Sequence, residues 1–208
     1  MVMFNYNQQG RKENMMKKIK IIALVGKAGS GKDYWLKQIC ENFDDVHEII
    51  SCTTRPKRFG EVEDINYHYL SDEQFRNEKF VESCSFNGWY YGTRYTDLDP
   101  NKLNVGVFNL TGIETLLRNP DIDLTLIYLM TEDKLRLIRQ LERDASDIDE
   151  ILRRYNTDKQ DFNESRLEAI KNQVSDYYWV INNSTNEYDD NVYILRDIEE
   201  IIQKVKNK

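Results

Sequence analysis

Two patterns of apolar and polar residues alternate along this chain. Short apolar, β-branched runs predict buried strands near residues 19–25, 47–51, 105–109, 124–130 and 178–182. Apolar residues at helical spacing, such as Trp35, Leu36 and Ile39, predict helices near 31–42, 112–118, 132–143, 157–173 and 190–206. This alternation is typical of α/β proteins, and it predicts a parallel core sheet that is covered by helices on both faces.

The region between the second and third predicted strands has a different character. Residues 53–95 are rich in aromatic side chains and contain short β-like runs at 67–70, 80–82 and 89–91. We expect a small mixed sheet here. Residues 1–18 are polar with little periodicity, which is typical of a mobile tail. The sequence therefore predicts a tail at 1–18 and one folded unit at 19–208.

A glycine-rich segment joins the first predicted strand to the first predicted helix. Its three glycines permit positive φ values and close backbone approach, so that successive N–H groups can surround a phosphate at a helix N-terminus. Lys32 supplies a cation for the outer phosphates of a nucleoside triphosphate. The candidate triphosphate-binding residues are Gly26, Lys27, Ala28, Gly29, Ser30, Gly31, Lys32 and Asp33. The alternative is an ordinary glycine turn between a strand and a helix.

One residue departs from the usual phosphate-loop pattern. The position after the loop lysine normally carries a serine or threonine whose hydroxyl binds Mg²⁺, and here it is Asp33. Tyr34 cannot serve as a compact hydroxyl ligand in its place. Asp33 is therefore the candidate magnesium ligand, since carboxylate oxygens suit this ion.

A second group of motifs follows in fixed order. The segments are 53–62 (TTRPKRFGEV), 66–69 (NYHY), 80–82 (FVE) and 88–93 (GWYYGT). In order and spacing they resemble the guanylate kinase family, and the resemblance runs from about residue 19 to the end of the chain. It implies a P-loop kinase fold with a small mixed-β subdomain for a nucleoside monophosphate at 53–95 and a helical lid at 139–155.

The resemblance also implies roles for seven side chains. The residues that would hold the phosphate of the acceptor nucleotide are Arg55, Arg58, Tyr67 and Tyr91, and those that would read its base are Ser51, Glu82 and Thr93. Guanidinium and phenol groups are suitable donors for a phosphate dianion. Guanine presents the N1–H and N2–H donors beside the O6 acceptor, so a carboxylate with a hydroxyl complements it. Taken singly, each residue also suits a solvated turn or a strand core.

Two arginines downstream are further candidates. The resemblance implies that Arg143 and Arg154 reach over the ATP phosphates from the lid, where they would neutralise charge that develops during transfer. The alternative is a salt-bridged surface helix. Its candidate acidic partners are Glu132, Asp133, Glu142 and Asp144. The resemblance further implies that Asn182 lies beside the adenine of ATP, and the alternative is an asparagine in a turn.

The strand predicted near 105–109 departs from the family pattern. The family ends this strand with two acidic residues, and here those positions are Val107 and Asn109. Such acids ordinarily help the metal through its water shell or contact the acceptor base, so Asn109 is a candidate acceptor-binding residue. We hypothesise that Asp33 and Asn109 are linked, because one negative charge is missing from the strand end and one is present beside the phosphate loop. The alternative is that the two positions changed independently of each other.

Bulk composition is typical of a soluble enzyme. A chain of 208 residues that is 40% hydrophobic can bury one substantial core. The net charge of −7 argues against a surface that coats nucleic acid. Three cysteines without disulfide or metal spacing indicate a reducing compartment. The sequence has no apolar run long enough for a membrane span and no signal-peptide core, so we expect a cytoplasmic protein.

The sequence therefore predicts a nucleoside monophosphate kinase that transfers the γ-phosphoryl group of ATP to GMP or dGMP with Mg²⁺. One alternative is a kinase for another deoxynucleotide, which Asp33 and Asn109 favour. The other is a catalytically silent guanylate-kinase-like module that binds a protein at the acceptor site. Lys32 and the loop glycines argue against that module, because a protein without catalysis has no need of a phosphate loop.

Overall fold

A computed structural model describes residues 17–58, 60–86, 88–143, 147–184 and 188–208. Residues 1–16 of the predicted tail thus lie outside the described residues. The strands are β1 (Ile19–Val25), β2 (Val46–Glu48), β3 (Cys52–Thr53), β4 (His68–Tyr69), β5 (Phe80–Phe86), β6 (Trp89–Arg94), β7 (Leu103–Val107), β8 (Ile122–Met130) and β9 (Tyr178–Asn182). The helices are α1 (Lys32–Asn42), α2 (Asp72–Asn77), α3 (Leu110–Leu116), α4 (Asp133–Arg143), α5 (Ile148–Asp161), α6 (Glu164–Val174) and α7 (Tyr188–Lys206).

The core is a parallel sheet of five strands in the order β2-β7-β1-β8-β9. β1 lies at its centre, and the residues from Ile21 to Val25 are fully buried. A strand that is covered on both faces needs a nearly continuous apolar run, which is the pattern that β1 shows in the sequence. The predicted α/β class is confirmed.

Helices cover both faces of this sheet. On one face the apolar side chains of α3 and α6 pack on the strands, and they include Ile113, Leu116, Ile170 and Val174. On the other face α1 and α7 contribute Trp35, Ile39, Ile198 and Ile202. None of the helices in the described part of the chain combines the length and the apolar character needed to cross a membrane.

A second sheet has the strand order β4-β3-β6-β5. It is mixed, because β3 pairs parallel with β4 and antiparallel with β6. Aromatic side chains pack on it, and the rings of Phe75 and Phe80 stack at 4.2 Å between centroids. The small mixed sheet predicted within residues 53–95 is therefore confirmed. α3 packs against β5, and this contact joins the small sheet to the core.

Two predicted boundaries are wrong for local reasons. The helix predicted at 157–173 is two helices, because the Asn163 side chain accepts a hydrogen bond from the Arg166 N–H and caps α6 after α5 has ended. The strand predicted at 105–109 ends at Val107. Asn109 instead caps α3, where its side-chain oxygen accepts from the Gly112 N–H at 2.7 Å.

Candidate active site

A cavity of about 550 Å³ lies between the ends of the core strands, the small sheet and helices α4 and α5. The glycine-rich loop after β1 and the segment after β7 both reach it, as expected for a ligand site at the carboxyl ends of parallel strands. The predicted site residues that line it are Gly26, Ala28, Gly29, Gly31, Lys32, Asp33, Ser51, Arg55, Arg58, Tyr67, Glu82, Tyr91, Asn109, Arg143 and Arg154. Lys27, Ser30, Thr93 and Asn182 do not line it.

The glycine-rich segment forms a tight loop around its own lysine. Gly29 and Gly31 have φ values of 78° and 89°, a region that favours glycine. A side chain at Gly29 would also stand 2.5 Å from the backbone oxygen of Arg136. The Lys32 ammonium donates to the carbonyl oxygens of Gly26 at 2.7 Å and Lys27 at 3.1 Å. Burial lowers the pKa of Lys32, although the carboxylates of Asp33 and Asp158 oppose the shift.

Two buried side chains that the sequence analysis missed hold this loop from outside. The Ala28 N–H donates to the Asp158 carboxylate at 2.7 Å, and the Ala28 carbonyl accepts from Nε of Arg136 at 2.9 Å. Arg136 is fully buried, and its guanidinium bonds Asp158 at 2.5 Å and Asp133 at 2.6 Å. The loop is thereby tied to α4 and α5. The only sequence signal was at Asp158, a charged residue that continues the helical spacing of Ile151 and Tyr155 along α5.

Asn183 supports the same loop. Its side-chain amide donates to the Ser30 carbonyl at 2.8 Å, and the residue is buried. The neighbouring Asn182, which we predicted beside the adenine, is exposed and accepts from the Ser184 N–H at 3.1 Å. This geometry matches the alternative reading of Asn182 as a turn residue. Strand alternation explains the difference, because adjacent residues lie on opposite faces.

A buried carboxylate lies where the small sheet borders the cavity. The antiparallel pairing of β5 and β6 places Glu82 opposite Thr93. Oγ1 of Thr93 donates to Oε1 of Glu82 at 2.9 Å, and Oγ of Ser51 lies 3.4 Å from the same hydroxyl. Burial raises the pKa of Glu82 to about 7, and the hydrogen bond from Thr93 offsets part of that rise. Thr93 is fully buried and so meets the cavity through Glu82 and Ser51.

Guanidinium and phenol groups lie together near this carboxylate. Arg55 stands 5.5 Å from the centre of the Tyr67 ring, and the Tyr67 and Tyr91 rings meet edge to face at 6.1 Å. Burial lowers the pKa of Arg58, and the positive charges of Arg154 and Arg55 lower it further. Three arginines thus surround one part of the cavity, and their mutual repulsion would be relieved by an anion.

Glu61, a further residue that the sequence analysis missed, arranges this cluster. Its carboxylate accepts from the Arg55 guanidinium at 2.8 Å, the Arg58 N–H at 2.8 Å and the Tyr69 hydroxyl at 2.7 Å. Burial raises the pKa of Glu61, but these hydrogen bonds outweigh burial and lower the pKa to about 2. Glu61 is therefore ionised near neutral pH and fixes the position of Arg55.

The predicted lid is described except at residues 144–146, so Asp144 lies outside the described residues. Arg154 donates from Nε to Glu150 at 2.7 Å, and Arg153 bonds the same carboxylate. Glu150 is not one of the four acidic partners that we predicted. Arg143 lies close enough to Lys32 that its charge lowers the pKa of the lysine, whereas Arg154 lies close enough to Arg58 to lower the pKa of that arginine, so the two predicted arginines reach different parts of the cavity.

The residues around the loop supply only some of the ligands that Mg²⁺ needs. Mg²⁺ in phosphotransfer sites commonly takes one or two protein carboxylates and completes its shell with phosphate oxygens and water. Asp33 lines the cavity in the first turn of α1 and suits that role. Asn109 is engaged elsewhere, because its oxygen accepts from Gly112 and its amide donates to the sulfur of Cys84 at 2.8 Å. Among the described residues no cluster of three or more His, Cys, Asp or Glu side chains forms a metal site. The donor set therefore fits an ion that arrives with phosphates.

Comparison with known proteins points to one family. The profile of the guanylate kinase family matches residues 18–103. A guanylate kinase of Sulfurimonas denitrificans is 27% identical over 189 residues, which are 85% of this chain and 86% of that protein. One from Prochlorococcus marinus (strain MIT 9312) is 32% identical over 143 residues, or 65% of this chain and 77% of that protein. The crystal structure of guanylate kinase from Anaplasma phagocytophilum shares the fold, with a TM-score of 0.52, 18% identity and coverage of 94% of this chain and 90% of that one.

Proposed function

The chain belongs to the guanylate kinase family, and we propose that it transfers the γ-phosphoryl group of ATP to GMP or dGMP with Mg²⁺. The proposal treats residues 19–208 as one catalytic unit, in which 53–95 receive the monophosphate and 139–155 cover the ATP phosphates. One observation carries it. A single cavity is lined by the buried carboxylate of Glu82 with the Ser51 hydroxyl, by the cationic cluster and by the glycine-rich loop.

The carboxylate end suits guanine. An ionised Glu82 would accept from the N1–H and N2–H groups of the base, and the Ser51 hydroxyl, which lines the cavity, would donate to its O6 acceptor, while the Thr93 hydroxyl donates to Glu82 and holds the carboxylate. Adenine has an acceptor at N1 and would leave the carboxylate facing a lone pair. Burial strengthens this discrimination, because an unpaired polar group costs most where water is excluded.

The cationic cluster suits the acceptor phosphate. Arg55 and Arg58 carry charge that a phosphate dianion would balance, and Tyr67 and Tyr91 add hydroxyl donors. Because Glu61 already fixes Arg55, less side-chain freedom is lost when the phosphate binds. The phosphate would then lie between the base pocket and the loop.

The phosphate loop suits the donor. Its backbone N–H groups and Lys32 would hold the outer phosphates of ATP, and Arg143 and Arg154 would approach from the lid. Asp33 would hold Mg²⁺, which neutralises phosphate charge when bound. A phosphate oxygen of the acceptor attacks in line, so this chain needs to position and neutralise the two nucleotides and requires no strong base.

The decisive measurement is kcat/KM for GMP, dGMP, dTMP, dCMP and dAMP with the wild type and with Glu82→Gln. We expect guanine nucleotides to be preferred by as much as about 10⁴-fold, and we expect the substitution to reduce that preference. Glu73→Gln makes the same chemical change on the exposed face of α2 and serves as the matched control.

Three outcomes separate the readings. A best substrate without guanine would overturn the base assignment and favour the kinase for another deoxynucleotide. Unchanged guanine preference in Glu82→Gln would remove Glu82 from base reading. Absence of phosphoryl transfer with every monophosphate would favour the silent module.

A further inference from the structure

α3 contains a glycine within its first turns, at a position where alanine would form a better helix. Gly112 is buried, and it carries the N–H that donates to the capping oxygen of Asn109 at 2.7 Å. Its backbone is helical, so it does not need the positive φ values that glycine permits elsewhere. A glycine in a helix interior loses conformational freedom without gaining packing. The glycine at this position therefore needs an explanation in the residues that surround it.

The Glu82 side chain beside Gly112 supplies that explanation. A Cβ atom at Gly112 would lie 2.7 Å from Oε2 of Glu82, while the next nearest atoms, Oδ1 of Asn109 and Cδ of Glu82, lie at 3.4 Å. The first contact is too close for any real side chain, and the others are ordinary. The Glu82 carboxylate thus occupies the space that a side chain at position 112 would fill.

The two oxygens of this carboxylate have different surroundings. Oε1 accepts from the Thr93 hydroxyl at 2.9 Å, and Oε2 lies over Gly112. The Thr93 hydroxyl fixes one side of the carboxylate, and the bare backbone of α3 leaves room for the other. An added methyl group would push Oε2 while Thr93 retains Oε1, so the plane of the carboxylate would turn.

We propose that Gly112 is a positioning residue for base recognition, because its missing side chain leaves Oε2 of Glu82 where a guanine base can donate to it. This inference rests on the proposed function, in which Glu82 reads the base. The colliding atom is the end of a side chain and can move, whereas the backbone of α3 need not. Alanine at position 112 is therefore expected to preserve the fold and to damage recognition.

The test is Gly112→Ala, measured by calorimetric binding of GMP, by steady-state kinetics and by thermal unfolding. We expect the Kd and KM for GMP to rise roughly 10- to 100-fold, the range for losing a hydrogen bond to a charged group. The KM for ATP should stay unchanged, and the unfolding temperature should be equal or higher because alanine is the better helix former. Thr115→Ala improves helix propensity in the same helix away from Glu82, and it is the matched control that should leave the kinetics unchanged.

A second background separates a specific effect from a structural one. In Glu82→Ala the carboxylate is absent, so adding Gly112→Ala should have no further effect on GMP binding. If Gly112→Ala alone lowers stability, removing the carboxylate should restore it. Failure to restore it, or a GMP Kd that Gly112→Ala leaves at the wild-type value, would overturn the inference. A wild type that does not bind GMP would instead refute the proposed function, so the two failures are distinguishable.

Discussion

The phosphate loop and the acceptor wall (β3, β5, β6 and the 55–69 segment) are stabilised in different ways. The loop is held by residues far away in the sequence, since Ala28 lies 108 residues from Arg136 and 130 from Asp158. The acceptor wall is held by neighbours, since Arg55 and Glu61 are six residues apart and Glu82 and Thr93 eleven. The loop therefore depends on residues more than 100 positions away, whereas the wall is assembled over shorter separations, from local turns, the β5–β6 hairpin and the pairing of β3 with β6, where Thr53 and Tyr90 are 37 residues apart.

The two regions also differ in burial. Arg136 is completely inaccessible and is balanced by carboxylates on two helices, so its contacts cannot be exchanged for water or substrate. In the acceptor wall, Arg55, Arg58 and Tyr67 line the cavity, and burial lowers the pKa of Arg58, with the positive charges of Arg154 and Arg55 lowering it further. The support of the loop is therefore closed to solvent, whereas the acceptor wall contains groups that a ligand can contact. Substitutions in both regions test this difference.

The largest effect is expected where a buried charge loses its partner. Asp158→Asn leaves Arg136 without one of its two carboxylates, and we expect the free energy of unfolding to fall by about 3–5 kcal/mol. Glu61→Gln makes the matching change in the acceptor wall, and we expect a loss of about 1–2 kcal/mol because that site is more accessible. Urea denaturation measures both. Equal losses of unfolding free energy would contradict the distinction between the fully buried support of the loop and the more accessible acceptor wall.

Lys32→Met should come next in size. It removes a charge that faces the cavity, so we expect kcat to fall by about 100-fold or more, the range for one preorganised electrostatic group. The circular dichroism spectrum should be unchanged, because the lysine is the first residue of α1 and is only half-buried. Lys37→Met on the exposed face of α1 is the control. Turnover close to that of the wild type would refute the kinase proposal.

The acceptor wall should respond to pH through Glu82. Its pKa near 7 means that the carboxyl is partly protonated in the free enzyme, and a protonated group cannot accept both base donors. We expect kcat/KM for GMP to fall about tenfold between about pH 8 and pH 6. Glu82→Gln should remove this dependence and leave only the titration of the substrate phosphate. An identical pH profile in the variant would exclude Glu82 as the titrating group.

The same raised pKa affects stability with a definite sign. Because the folded-state pKa of Glu82 lies above its unfolded value, its contribution is fully present below the unfolded pKa and is lost as pH rises through about 7. The free energy of unfolding of the wild type relative to Glu82→Gln should therefore decline as pH rises from 4.5, the pKa of an unperturbed glutamate, to about 7. Urea denaturation at several pH values measures the decline, and a difference that does not change with pH would contradict the burial of an ionisable group here.

The smallest effect is expected at the metal. Asp33→Asn should raise the Mg²⁺ concentration for half-maximal activity by roughly a few-fold, because phosphates and water supply most of the ligands. Asp33→Thr combined with Asn109→Asp tests whether the two positions are linked, and the new carboxylate would still cap α3. Recovery beyond either single variant would support the link, and additive losses would show that the positions act independently.

The difference between local and long-range contacts also explains which features the sequence could predict. β1 and β9 lie at their predicted residues, and the small mixed sheet is where its aromatic runs indicate, because these patterns are local. Arg136 and Asp158 were missed, since no local pattern shows that two charges on different helices will be buried together. Asn182 was predicted because the resemblance implies an asparagine beside the adenine at that position, whereas the side chain that holds the loop is that of Asn183, and the sequence does not fix which side of the strand end faces the loop. The roles of the candidate site residues stay predictions.

The long separations around the phosphate loop have a consequence during translation. Ser30 leaves the ribosome 153 residues before Asn183, a delay of about 8–30 s at ordinary elongation rates. Until Arg136, Asp158 and Asn183 have been synthesised in turn, the nascent chain carries a glycine-rich loop that lacks some of the side chains that shape it. The acceptor hairpin, whose partners are synthesised almost together, can form in the meantime. A ribosome-bound chain that stops before Asp158 is thus expected to contain a folded hairpin and no competent triphosphate site, so nucleotide binding would begin only as the last part of the chain emerges.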